Sequence, residues 1–202
     1  MLLLGACGGH APSAVGRKAV AADWRVVATE ADRDRLRRWR EAWTAGLAKA
    51  RASGSGAQID AQGALFEPDR AMTDALPPPG DYHCRVFKLG AKGTAMADFT
   101  AYPFFDCRIA AEGEGGDAVS SFFKVDGSQR PVGLIFKDGT SRRVFLGTLV
   151  LGDETRALEY GADSNRDMAG LVERVGPKRW RLVLPYPRYE SLIDVMELVP
   201  AG

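Results

Sequence analysis

The sequence predicts a mostly β protein with an N-terminal helical segment, its strands forming an antiparallel meander that closes into a barrel. Three observations predict it. Before Pro77 the apolar residues recur at helical spacing, and from Asp81 onward they alternate with period two. The second region is also punctuated by tight-turn pairs with no helix between them. With 202 residues, 46% of them hydrophobic, the chain has enough apolar matter for one domain with a sizeable core.

In chain order, Thr29 is placed to cap a helix, with Asp32 three residues on approximating a capping box. Leu36, Trp39, Trp43, Leu47 and Ala50 then form one apolar stripe, expected to pack on the rest of the domain. Arg33, Arg35, Arg37, Arg38 and Arg40 lie largely off the stripe among Asp34 and Glu41. They read as a solvated face with ion pairs along the helix, the alternative being contact with anionic lipid head groups or lipopolysaccharide. Ser53-Gly54-Ser55-Gly56 ends this helix, and residues 59–66 read as a second short one. Leu76-Pro77-Pro78-Pro79-Gly80 stops helical structure and launches the β region. Strands are expected at 81–89, 101–109, 118–125, 131–137, 142–151, 156–161, 167–175, 179–185 and 192–199. Asp126-Gly127 and Asp138-Gly139 are hairpin signals, and Gly152-Asp153 and Gly176-Pro177-Lys178 read as tight turns. Strands of this number remove their edges by curling into a barrel or sandwich, with the helix over the outer face or one end.

Alternation puts Cys84 on one face with Tyr82 and Val86, and Cys107 on one face with Phe105 and Ile109. Each cysteine thus has apolar neighbours, as a cross-strand bridge beneath a core would. An even pair in an exported protein, in an oxidising compartment, is expected to form a disulfide. Two free buried thiols, or a metal pair, are the alternatives, and the latter lacks ligands because His83 is the only histidine beyond His10.

Charge excludes one class of partner. Lys+Arg 27 against Asp+Glu 26 is nearly neutral, where a nucleic-acid binder shows a basic excess, so no nucleic acid is expected. The sequence contains no G-x-S-x-G, H-E-x-x-H or P-loop, and no catalytic residue, metal or cofactor is assigned. His83 falls on the face opposite Cys84 and reads as a surface or packing residue. Asp163-Ser164-Asn165-Arg166-Asp167 has the spacing of a calcium loop. Met168 and Arg174 then stand where such a loop needs Gly and Glu, so a turn held by Asx hydrogen bonds is expected. Glu112-Gly113-Glu114-Gly115-Gly116 carries carboxylates that would repel a phosphate and reads as a mobile loop. The remaining feature is a set of aromatics and arginines. Tyr82, Arg85, Tyr102, Arg143, Tyr160, Arg174, Trp180 and Arg181 are the candidate ligand-binding residues, with Arg166 in the same group. Arginine forks suit carboxylates or phosphates and aromatic walls suit apolar ligands, provided several of these side chains meet in a barrel mouth. Otherwise they are the exposed arginines and core aromatics of any β domain.

Leu4-Gly5-Ala6-Cys7 resembles the lipobox of bacterial lipoproteins. The resemblance implies cleavage before Cys7, acylation of its thiol and, with Gly8 next, outer-membrane attachment on the periplasmic face. Only Leu2 and Leu3 precede the motif, so Met1 is expected to lie inside the true signal. The expected layout is a signal remnant over 1–6, a lipid-anchored spacer over 7–23, a helical segment over 24–79 and the barrel over 80–200.

Trp24-Arg25, Asp32-Arg33-Asp34-Arg35-Leu36, Pro79-Gly80-Asp81-Tyr82-His83-Cys84-Arg85, Phe145-Leu146-Gly147-Thr148, Arg166-Asp167-Met168-Ala169-Gly170 and Trp180-Arg181-Leu182-Val183-Leu184-Pro185 carry a further resemblance. Over most of residues 24–200 the chain resembles a bacterial family of exported proteins known as a domain of unknown function, which transfers no activity. Its layout is also similar to small outer-membrane lipoprotein barrels of the protease-inhibitor type, which are calycin- or lipocalin-like. Cys84, Cys107 and Leu134-Ile135-Phe136-Lys137-Asp138-Gly139 fit that layout, whereas the helical segment departs from it. The leading functional expectation is a non-catalytic envelope module binding a small or lipidic ligand. The second is an interaction protein, such as a protease or hydrolase inhibitor or an envelope-assembly accessory. A hydrolase of unrecognised type is third.

Overall fold

The computed structural model describes residues 23–112 and 119–202. Cys7, the expected signal remnant, residues 7–22 of the expected spacer and Gly113–Gly116 of the acidic loop lie outside the described residues.

Nine strands follow the helices: β1 Gly80–Ala91, β2 Phe99–Ala101, β3 Phe105–Glu112, β4 Val119–Lys124, β5 Gln129–Lys137, β6 Arg143–Leu151, β7 Asp167–Gly176, β8 Arg179–Pro185 and β9 Ser191–Pro200. All but β2 form one closed antiparallel barrel, because β9 returns to pair with β1 from Tyr82↔Pro200 to Ala91↔Ser191. Closure removes the exposed edges that an open meander of this length would carry. β1 is long enough to serve two partners on its other side. Its first half pairs with β3 and its second half with β2.

Two expected strands come out differently. The 101–109 strand divides into β2 and β3 around Pro103, which has no N–H to give a ladder. Residues 156–161 form no strand. β6 and β7 pair directly, from Arg143↔Val172 to Thr148↔Asp167, which leaves no slot between them. The intervening residues loop out over the barrel surface, and there the Tyr160 hydroxyl accepts from the Thr29 backbone N–H at 3.1 Å.

The helical segment is also more divided than one stripe suggests. α1 Trp24–Val27 is capped by the Asp23 side chain, and α2 Glu30–Arg37 by Thr29, whose hydroxyl accepts from Asp32 N–H at 3.2 Å. That hydroxyl donates in turn to the Asp32 carboxylate at 3.0 Å. The chain bends at Arg38 before α3 Trp39–Ala50. A wide turn over Arg51–Ser55, with Gly54 at φ 92°, leads to α4 Gly56–Asp60 and a 3₁₀ turn Gly63–Phe66. Residues 67–79 then cross one end of the barrel. Met72 bridges to Arg174, and the Tyr82 hydroxyl donates to the Pro78 carbonyl at 2.6 Å.

Two cores result from strand alternation. Inside the barrel, Tyr82, Cys84, Cys107, Ile109, Phe122, Ile135, Phe145, Val172, Trp180, Leu182 and Leu198 pack together. The Cys84–Cys107 disulfide lies within this core, joining β1 to β3 with Cα atoms 5.9 Å apart. Outside, Leu36, Trp43, Ala50, Ile59, Leu65 and Phe66 of the helical segment cover Phe87, Leu89, Val183, Ile193 and Val195. The helices thus bury the outer face of β1 and β7 to β9, which accounts for strands there being apolar on both sides. Gly46 sets the distance between the layers. A Cβ there would stand 2.6 Å from Ile193 Cγ2 and 3.3 Å from the Leu89 carbonyl.

Candidate ligand site at the barrel mouth

Alternation carries polar as well as apolar residues inward. On the inner face β1 continues from Tyr82, Cys84 and Val86 to Lys88, β4 from Phe122 to Lys124, and β9 backward from Leu198 and Met196 to Asp194. All three lie towards the end of the barrel opposite the crossing segment. The core is apolar at the closed end and becomes charged towards this mouth, which is ringed by residues 92–104, 125–128, 152–166 and 186–190.

A cavity of about 150 Å³ opens there, lined by Val86, Lys88, Tyr102, Phe105, Lys124, Ser128, Gln129 and Glu190. A smaller one of about 40 Å³ shares Val86, Lys88 and Gln129 with it and reaches Asp194, Arg166 and Tyr189. Both fall below the roughly 300–1,000 Å³ of drug-sized sites. Below them the barrel is filled by side chains, so the described space suits a small molecule.

Two buried lysines meet this space in different electrostatic states. Lys88 Nζ lies 2.9 Å from Asp194 Oδ2 and 3.1 Å from Glu190 Oε2. Burial opposes its charge, but the two carboxylates outweigh burial and hold the ammonium above the ordinary lysine range. Burial raises the Asp194 carboxyl, opposed by Lys88 and by the Ser191 hydroxyl that donates to it. Lys124 is equally enclosed, at 4% exposure. It donates to the Asp126 carbonyl and stands 3.6 Å over the Phe105 ring. Among the described residues no carboxylate lies within ion-pair distance of it. Desolvation pushes its ammonium down to about 8, against a smaller upward pull from Asp126 and with a further push down from Arg130.

The turn that presents Glu190 is held in unusual backbone geometry. Tyr186 has φ 47° and Glu190 φ 70°, left-handed values that cost a residue with a Cβ on the order of 1 kcal/mol or more. The mouth therefore offers donors from Lys124, Gln129, Ser128 and Tyr102, and an acceptor from Glu190, around a partly apolar floor.

Of the candidate residues, Tyr102 lines the larger cavity, and Arg166 of the same group lines the smaller one. Tyr82, Trp180 and Arg174 come together at the closed end. There Tyr82 and Trp180 meet edge-on at 6.2 Å, and the Arg174 guanidinium lies 5.7 Å from the Trp180 ring. Arg143 starts β6 at that same end, on the face of Phe145, and Arg85, Tyr160 and Arg181 lie on the outer wall. Arg85 bonds Glu197 at 2.6 Å and Gln62 at 2.8 Å, while Tyr160 donates to Asp32. Arg143 donates to the Gly139 carbonyl at 3.1 Å. Arg181, fully buried, bonds Glu173 at 2.7 Å and the carbonyls of Leu65 and Glu67 at 2.8 Å each. Most of these side chains thus hold the helical segment to the barrel.

The helix arginines are paired as well. Arg37 meets Asp34 at 3.2 Å, Arg38 meets Glu41 at 2.9 Å and Arg35 meets Asp32 at 2.9 Å. His83 is exposed, 3.3 Å from Asp106 on the outer face. Asp163 forms an Asx turn, accepting from Asn165 N–H at 2.9 Å. No group of three or more His, Cys, Asp or Glu among the described residues could hold a metal ion. None of their helices is long and apolar enough to cross a membrane.

Lys88, Lys124, Gln129, Glu190 and Asp194 were not singled out by motif. For the strand residues the signal is alternation, which places Lys88 on the Cys84 face and Lys124 on the Phe122 face, whereas Glu190 lies in the turn before β9. Comparison with curated proteins gives no match, and neither does comparison with solved structures. Residues 24–198 match the family described as domain of unknown function DUF4893, and the chain belongs to that family.

Proposed function

We propose that this protein is a non-catalytic binding module of the bacterial cell envelope that takes a small molecule into its barrel mouth. The observation that carries the reading is the cavity of about 150 Å³ between Lys88, Lys124, Tyr102, Gln129 and Glu190. Convergent polar groups over an apolar floor are what a small-ligand site requires. The filled barrel beneath it favours a compact molecule over an acyl chain. The Cys84–Cys107 bridge supports an oxidising compartment, and Leu4-Gly5-Ala6-Cys7 supports attachment to the outer membrane through a lipid on Cys7. Native mass spectrometry of the protein purified from its own envelope tests all three. The expected spectrum carries an acyl mass on Cys7, two fewer hydrogens at Cys84 and Cys107, and a dissociable small molecule. A bare chain with no adduct at any declustering energy sinks the ligand reading.

A second reading, a protein-interaction module such as an inhibitor of an envelope hydrolase, is favoured by an outer groove of about 480 Å³ over β4, β5 and β6. Phe123 and Leu158, 41% and 47% exposed, flank Leu134, Phe136 and Leu146 there. Crosslinking in the envelope followed by affinity capture separates the two, since only this reading requires a stable protein partner.

A further inference from the structure

We propose that the ligand of the barrel mouth is a small organic monoanion, a carboxylate whose charge is placed against the Lys124 ammonium. The proposal rests on the mouth cavity being a ligand site and names what enters it. Lys124 is 4% exposed and lines the cavity, yet its polar contacts among the described residues are one carbonyl, of Asp126, and the face of Phe105. An ammonium has three donors, so hydrogen-bonding capacity is left over beside the cavity. A buried charge without a counter-charge is costly unless something supplies one. Lys88, across the cavity, does not share this condition, because Asp194 and Glu190 both stand within 3.1 Å or less of its nitrogen.

The arrangement also limits the ligand. Of the two lysines only Lys124 lacks a carboxylate within ion-pair distance, and Glu190 lines the same cavity, so a second negative charge on the ligand would meet a carboxylate. A dianionic phosphate is disfavoured for that reason. Val86, Phe105 and the Tyr102 ring supply apolar wall for a short hydrocarbon end. The groups facing Lys124 across the cavity and around it are Lys88, Glu190, Asp126, Arg130 and Tyr102. Glu190 and Asp126 favour its charge; Lys88 and Arg130 oppose it. An entering carboxylate therefore shifts the balance towards a protonated Lys124. Its affinity should fall as pH rises from 7 to 9.5, when the ammonium gives up its proton.

The test uses the full chain, labelled with ¹⁵N and ¹³C, titrated with straight-chain monocarboxylates from acetate to hexanoate, the matching primary amides and inorganic phosphate. The expected result is saturable movement of the Lys124, Tyr102 and Gln129 signals by at least one carboxylate, with at least tenfold weaker response to its amide and to phosphate. Affinity should drop at least fivefold between pH 7 and pH 9.5. Lys124→Met should abolish the response while Lys124→Arg retains part of it, with the disulfide and outer-face signals unchanged in both. Equal binding of amide and carboxylate, preference for phosphate, or undiminished carboxylate binding by Lys124→Met overturns the charge assignment and leaves the small-ligand reading standing. Failure of every compound to move a mouth signal overturns both.

Discussion

Single buried charges decide the behaviour of the mouth, and the two lysines predict opposite pH responses. Lys88 is held above its ordinary range by Asp194 and Glu190, so it contributes stability that is complete below the unfolded value of 10.5. That contribution is lost as pH climbs through the higher folded value. Lys124 is held down to about 8, so between about 8 and 10.5 the unfolded chain binds the extra proton and stability rises with pH. Below pH 8 the cost of burying its charge is fully present. Lys124→Met should therefore stabilise the ligand-free protein at pH 7 by about 1–3 kcal/mol. The advantage should shrink steadily from pH 8 to 10.5, and urea denaturation of both proteins across that range measures it. Lys88→Met should do the reverse. It leaves the buried Asp194 and the half-buried Glu190 without a cation and should cost about 3–5 kcal/mol at pH 7. If the Lys88→Met protein is as stable as wild type in urea, the buried ion pair has been overvalued.

At the scale of elements, two joints hold the architecture. α3 meets the barrel where Gly46 faces Leu89 and Ile193, and β1 bends there at Gly90, whose φ is 70°. A side chain on Gly46 would have to push Ile193 away, so Gly46→Val should lower stability by about 1–3 kcal/mol through overpacking. The loss should show as a lower urea midpoint with unchanged slope. The other joint is the disulfide, which closes a separation of 23 residues between β1 and β3. In the chain-entropy model a loop of that size is worth about 3 kcal/mol, and Cys84→Ser with Cys107→Ser should lose roughly that amount in a thermal or urea melt. How well each element could be read depended on where its information lay. Period two places Cys84 and Cys107 among apolar neighbours, and the bridge was legible once that pair was read in a chain expected to be exported. Residues 156–161 carry the same local pattern yet form a loop, because pairing of β6 with β7 is decided by partners 19 to 29 residues apart. The bend at Arg38 was equally hidden, since Leu36 and Trp39 keep helical spacing across it.

In the whole molecule, the barrel class was legible because hairpin glycines such as Gly127 and Gly139 mark turns wherever they fall, both at positive φ. The site was less so. A lysine near the end of a strand reads as an exit to solvent, and only closure of β9 on β1 encloses Lys88 and Lys124. Arginines such as Arg181 carry the chemistry of a ligand site, yet enclosure makes them structural ties. Arg181 has the most far-reaching of these roles. From β8 it joins Glu173 on β7 to four carbonyls, of Ala64, Leu65, Glu67 and Pro68, just where the helical segment turns towards the crossing of the closed end. Glu173 also receives Arg142 from the turn before β6. The helices and the barrel should therefore unfold as one cooperative unit, with helical circular dichroism and tryptophan fluorescence giving the same transition. Arg181→Met removes the donor, strands four carbonyls and leaves Glu173 with Arg142 alone. It should cost about 3–5 kcal/mol, and the residues around Trp43 and Phe66 should exchange their amide protons well before β5 and β6 do. Uniform exchange across helices and strands in that variant would mean that apolar contact through Trp43, Leu65 and Phe66 is enough to bind the two parts, and that the arginine is dispensable to their union.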